Sequence, residues 1–157
     1  PCPCGFHSDP TRECRCTGGM IQRYLGKISG PLLDRIDLHV EVPAVPYGEL
    51  RSARDMKGES SAAMRERVER ARAVQRERGF YNAQIPSKQL RDLCALDAAG
   101  ERTLEMAVRK LGLSARAHDR ILKVARTVAD LGGAAAVESK HVAEAVHYRS
   151  LDRNYWS

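Results

Sequence analysis

From Glu59 onward, apolar side chains recur every three or four positions, the spacing that lines one face of an α-helix. Met64, Val68, Ala71 and Val74 mark a first long helix, with Gly79 as its stop. Pro86-Ser87 opens a short second helix to Cys94, with Leu90, Leu93 and Cys94 on one side. A third spans Asp97 to Leu111 and turns Leu104, Val108 and Leu111 inward. Ser114 is a good N-cap for a fourth helix, which runs to Leu131 with Ala117, Ile121, Val124, Val128 and Leu131 in register. Gly132-Gly133 stops it, and a fifth helix from Ser139 to Tyr148 presents Val142, Ala145 and Val146.

The first 45 residues read differently. Residues 1–19 are rich in Cys, Pro and Gly and lack any repeating apolar position, so they form a loop. Ile21, Tyr24, Leu25 and Ile28 predict a short helix from Met20, which Gly30-Pro31 interrupts before Leu32-Leu33. Ile36, Leu38, Val40 and Val42 then alternate with Asp37, His39 and Glu41, the pattern of a strand with one buried face. That strand has no neighbour in this chain to satisfy its backbone groups. The expected organisation is a first unit over 1–45, a linker over 46–58 and a helical unit over 59–157. The fold class is mostly α: a five-helix bundle preceded by a loop, a short helix and one β-strand.

Composition fits a soluble helical protein, with 43% hydrophobic and 29% charged residues. No run approaches the roughly 18 apolar residues that span a bilayer, and no signal pattern opens the chain, so membrane association is not expected and a cytoplasmic location is. The chain begins at Pro1, without Met and directly in a cysteine motif, which reads as a piece cut from a longer protein. Residues 1–45 hold five basic and five acidic side chains, so the whole net charge of +6 belongs to the helical part. This favours polyanion partners without choosing between nucleotide phosphates and nucleic acid. A solvated, charged helix surface is the plainer alternative.

Cys2-Pro3-Cys4 and Cys14-Arg15-Cys16 place four thiols in a loop with no apolar content of its own. Tetrahedral zinc suits four sulfur ligands, and its binding can order a segment that hydrophobic burial cannot. A closed set of four also points to a structural site rather than a catalytic one, which would keep a position for water. Two disulfides are the alternative, disfavoured in a chain with no secretory signal. His7 could stand in for one cysteine, and Cys94 is read as a core residue.

Pro1-Cys2-Pro3-Cys4-Gly5, Cys14-Arg15-Cys16 and the run Ile28-Ser29-Gly30-Pro31-Leu32-Leu33-Asp34-Arg35-Ile36-Asp37-Leu38-His39 closely resemble the magnesium-chelatase-like, ComM family of AAA+ proteins. Gly112-Leu113-Ser114-Ala115-Arg116-Ala117-His118-Asp119-Arg120 and the ending His147-Tyr148-Arg149-Ser150-Leu151-Asp152-Arg153 resemble that family's C-terminal lid. The resemblance implies that the bundle is an AAA+ lid and that the strand is left from the AAA+ core. It further implies that the complete protein binds ATP and Mg2+ and assembles as a hexameric homo-oligomeric ring. Such a ring acts on DNA as a helicase that promotes branch migration in natural transformation, the process that needs competence. No Gly-rich Lys-Ser/Thr phosphate loop occurs in these residues, so the chain by itself is not expected to hydrolyse ATP.

By the same resemblance, Arg35 matches an arginine finger that acts in trans on a neighbouring subunit's nucleotide. A planar, permanently charged guanidinium can offset charge on a transferring phosphoryl group, worth about 10³ to 10⁵ in rate. A surface ion pair with Asp34 or Asp37 is the simpler alternative. Arg116 matches a sensor-two arginine that reaches ATP phosphates in cis. At about 100° per residue, Arg116, Arg120 and Lys123 form one basic ridge beside the apolar seam, and Arg120 joins Arg116 as a candidate phosphate contact. Arg120 and Lys123 could equally be solvated charges. The Arg-rich helix over 65–78 could touch DNA, but Glu66, Glu69 and Glu77 favour a salt-bridged surface instead. Two rival readings remain: a zinc-bearing nucleic-acid-binding module that needs no ATPase, and a true metal-chelatase motor subunit. The cysteine loop argues against the second.

Overall fold

The computed structural model describes residues 2–7, 9, 11–40, 42, 45, 47–48 and 58–149. Most of the expected linker and residues 150–157 lie outside them. Two short helices come first: α1, Gly18–Leu25, capped by the Thr17 side chain, and α2, Gly30–Leu33, with a proline in its first turn. The bundle follows as α3, Ser61–Glu77, a 3₁₀ turn at Asn82–Gln84, α4, Ser87–Leu93, α5, Ala98–Leu111, α6, Ala115–Leu131, and α7, Ser139–His147. Five long-period segments thus become five helices, with ends set by local chemistry. Ser60, Asp97 and Ser114 each accept a hydrogen bond from a first-turn N–H, supplying a partner the helix itself cannot. Gly112 closes α5 in the left-handed region at φ 61°, which lets the chain reverse directly into α6.

The core lies around α6. Ile121, Leu122, Ala125 and Ala129 pack with Leu104 of α5, Val142 and Ala145 of α7, and Ile85, Leu90 and Cys94. Burying each large aliphatic side chain of this set contributes about 1.5 to 3 kcal/mol. Small alanines on α6 let α7 and α3 approach closely, while a single parallel bridge, Leu96 to Val137, ties the loop before α5 to the loop before α7. Cys94 is 2% exposed, and burial pushes its thiol up to about 11, as befits an inert core residue.

Two expectations need correction. The stripe assigned to α3 is largely solvent-facing: Met64, Val68 and Val74 are 45%, 41% and 44% exposed, and only Ala71 and Gln75 are buried. The strand over 36–42 is also absent among the described residues. Ile36, Leu38, Val40 and Val42 are exposed while His39 is 6% exposed, the reverse of the expected alternation. Without a partner strand, the segment docks instead on the lid, and the His39 backbone N–H donates to the Tyr148 carbonyl at 2.8 Å. Leu131, expected inward, is 38% exposed at the last turn of α6.

Candidate functional site

The four loop cysteines converge. Their sulfurs all lie within 4.8 Å of one another, with Cys2–Cys4, Cys4–Cys14 and Cys2–Cys14 separations of 3.4, 3.6 and 3.8 Å. A tetrahedral ion with sulfur at about 2.3 Å requires edges of about 3.8 Å, so the donor set fits zinc. None of these thiols is in a disulfide. The Gly5 N–H bonds back to the Cys2 carbonyl and the His7 N–H donates to the Cys2 sulfur, folding the first pair into a tight turn. His7 therefore contributes its backbone, and the cluster consists of four sulfurs.

The thiols do not ionise independently. Burial works against the Cys2 thiolate, yet hydrogen bonds from Cys4, the His7 backbone and Cys14 outweigh it and bring Cys2 down to about 6. At Cys14 the Cys16 backbone N–H favours the thiolate. Burial and the Cys4 and Cys2 sulfurs prevail there and push Cys14 up to about 12. Several adjacent negative charges are costly without a cation, which is the electrostatic demand a divalent metal meets.

The basic ridge of α6 lines a cleft of about 460 Å³, whose walls include Asp37, Ala83, Ser87, Arg116, Arg120 and Lys123. The three cations have different commitments. Arg120 is ion-paired with Asp37, and Lys123 donates to the Ala83 carbonyl at 3.1 Å. Arg116 is exposed and has no hydrogen bond or ion pair among the described residues. It sits in the first turn of α6, where unsatisfied N–H groups add positive potential.

Arg35 lies outside that cleft. It is exposed, and among the described residues its guanidinium makes one bond, to the Pro31 carbonyl at 3.3 Å; the alternative of an ion pair with Asp34 or Asp37 is not what the structure shows. Those two carboxylates are taken by the lid. Ser114 Oγ donates to Asp34 at 3.1 Å, Arg149 approaches Asp34 at 3.8 Å, and Arg120 holds Asp37. Arg149 also donates to the Ile36 carbonyl and is only 1% exposed. Sequence reasoning passed over Asp34, Asp37 and Arg149 as site residues, although the resemblance covered all three.

A second polar centre pins α3 to α6. Asp130, its side chain fully buried, accepts from Arg78 at 2.7 Å, Asn82 at 2.8 Å and Arg126 at 3.0 Å. Arg126 spends its remaining donors on the Ala134 and Ala135 carbonyls. Burial alone would raise the Asp130 carboxyl, but bonds from Arg78 and Asn82 and the charge of Arg126 hold it below the ordinary range. These bonds tie α3, the 3₁₀ turn and α6 together, so this centre is structural. It leaves no group aimed at a ligand.

Comparison with known proteins agrees with this picture. Residues 58–149 match the family described as magnesium chelatase, subunit ChlI C-terminal, and residues 1–50 match magnesium chelatase, subunit ChlI. The chain is 45% identical over 154 residues to competence protein ComM of Haemophilus influenzae, covering 98% of this chain and 30% of that protein. It is 42% identical to the uncharacterized protein YifB of Escherichia coli strain K12, with the same 98% and 30% coverage. To the uncharacterized protein Rv2897c of Mycobacterium tuberculosis strain H37Rv it is 40% identical, covering 95% of this chain and 30% of that protein. The chain thus spans about 30% of the length of these curated relatives. None of the helices among the described residues is long and apolar enough to cross a membrane. With two adjacent family matches, a helical lid and a four-cysteine loop at the expected places, the chain belongs to the magnesium-chelatase-like AAA+ family, in its ComM/YifB branch.

Proposed function

We propose that this chain supplies two arginines to the ATPase cycle of a ring-forming AAA+ protein that works on DNA during competence. Arg116 reaches the phosphates of the nucleotide held by its own subunit, and Arg35 acts in trans on the nucleotide of the next. The observation that supports this most is the cleft at the start of α6, where two of three cations are committed and Arg116 is not. ATP and Mg2+ would bind residues outside this chain, and Arg116 would contribute charge and orientation to the triphosphate. Arg120 acts there through its pairing with Asp37. The name of the Haemophilus relative supports a role in competence, and the hexameric ring, helicase activity and branch migration follow from the family resemblance.

In the full-length protein, Arg116→Ala is expected to raise the Kd for ATP about 10- to 100-fold, the worth of one charged hydrogen bond. Equilibrium binding of a fluorescent ATP analogue measures it. Affinity within twofold of wild type would remove Arg116 from the site.

Cys2, Cys4, Cys14 and Cys16 would hold one structural Zn2+ that braces the loop ahead of α1. Metal analysis of the purified protein is expected to find about one zinc per chain, and Cys14→Ser to lose it. Co2+ substitution should give the intense visible bands of tetrahedral thiolate ligation. A metal-free protein with an unchanged loop would contradict this assignment.

A further inference from the structure

Arg35 sits between two carboxylates that are both engaged by the lid. Immediately before it, Asp34 accepts from Ser114 and faces Arg149. Immediately after it, the Ile36 carbonyl accepts from Arg149, and Asp37 is ion-paired with Arg120. Two residues further on, the His39 N–H reaches the Tyr148 carbonyl. The buried Leu33 completes the anchor, beside Gly112, Leu113 and Ser114 in a shared crevice. Between these contacts the Arg35 side chain is exposed, and among the described residues its guanidinium bonds only the Pro31 carbonyl.

The lid residues that make these contacts are not scattered. Ser114 is the N-cap of the helix that carries Arg116, and it uses both capacities of its hydroxyl: it accepts from the Ala117 N–H and donates to Asp34. Arg120 lies one turn beyond Arg116 on the same ridge. The helix start that positions Arg116 and the segment that positions Arg35 are therefore one mechanical piece.

We propose that Asp34 and Asp37 are positioning residues that lock the Arg35 segment to the start of α6, so that the arginine facing the subunit's own nucleotide and the arginine facing its neighbour's move together. This rests on the ATPase reading given above. Closing α6 onto a bound triphosphate through Arg116 would carry Arg35 with it, so occupancy of one site adjusts catalysis at the next. A displacement of about 1 Å at a reacting centre can cost on the order of 10²-fold, which sets the scale of what the lock protects.

The test uses the full-length protein and steady-state ATP hydrolysis. Asp34→Asn and Asp37→Asn keep side-chain volume and remove the charge that Arg149 and Arg120 engage. Asp34→Asn is expected to lower kcat about tenfold with KM for ATP within about twofold, because the misplaced group serves the neighbouring site; Asp37→Asn should lower kcat at least as much and, because it also frees Arg120 beside Arg116, raise KM as well. Asp37→Glu should restore most of the loss. In an Arg35→Ala background Asp34→Asn should lower turnover no further, since the group it positions is gone. A full additional tenfold loss in that background, or wild-type kcat in both single variants, would overturn the lock while leaving the role of Arg35 intact. If Arg35→Ala itself turned over normally, the ATPase reading would fail, and the lock with it. Thermal melting of each variant separates positioning from unfolding: a melting temperature near that of wild type together with reduced kcat supports the lock, and loss of kcat only in proportion to loss of folded protein refutes it.

Discussion

Replacing Arg35 with alanine in the full-length protein is expected to cut the kcat for ATP hydrolysis by about 10³-fold or more, with nucleotide affinity nearly unchanged. A finger contributes where charge accumulates on the transferring phosphoryl group and little to the bound ground state, so the loss belongs in kcat. The side chain is exposed, follows directly on α2 and, among the described residues, bonds only the Pro31 carbonyl. Mixed rings give the sharper result. Arg35→Ala subunits retain their own ATP-binding machinery, and subunits disabled in the phosphate loop retain an intact Arg35. Mixing two inactive populations should restore turnover at junctions where one supplies the finger and the other the nucleotide site. Arg116→Ala subunits should show no such recovery, because a cis contact cannot be lent across a boundary. Turnover of Arg35→Ala within threefold of wild type would end the trans assignment.

Removing the Asp130 carboxylate is expected to have the largest effect on stability. Asp130→Ala leaves Arg126, whose side chain is 4% exposed, and Arg78 facing each other without their shared acceptor. Breaking a buried pair in this way costs about 3 to 5 kcal/mol, a large part of the 5 to 15 that holds a domain of this size. At about 4 to 8 °C per kcal/mol, the melting temperature should fall by roughly 12 °C or more, as circular dichroism would record. The pH dependence follows from the depressed carboxyl. Its contribution is complete above the ordinary Asp range near 4 and is lost as pH falls through the lower folded-state value. Acid unfolding should therefore be steeper in wild type than in Asp130→Ala, which no longer has that proton to take up. A variant as stable as wild type at neutral pH would show that the network is incidental.

The helices were legible because their information is local. Periodicity gave α3 to α7 to within a residue or two, and Ser114 declared itself as a cap by residue type alone. The cysteine cluster was legible for a similar reason: two close pairs in an otherwise coreless loop have few other uses. What could not be read was which face each helix buries. On α3 the apolar residues Met64 and Val68 lost to Ala71 and Gln75, because Gln75 accepts the Asn82 backbone N–H at the point where the helix meets the core. Nothing within α3 specifies that meeting. Likewise nothing singled out Arg126 and Asp130, which sit on the buried side of α6 four residues apart, following Leu122 and Ala125. That spacing of opposite charges on an apolar face was the available signal. The strand over 36–42 was misplaced for another reason. Alternation predicts a pleated segment only when a second strand exists to bond it, and here the lid supplied the hydrogen-bond partner instead.

The bonds that fix the Arg35 segment span 80, 83 and 113 residues of sequence, whereas most of the bundle closes over neighbouring helices. Contacts of such long reach carry the greatest loop-closure cost and form late. On the ribosome, at about 5 to 20 residues per second, the turn bearing Arg35 emerges several seconds before Arg149 exists to hold it. The Arg35 segment can therefore take its docked position only after the helix that ends at His147, and the turn with Arg149 beyond it, have been synthesised.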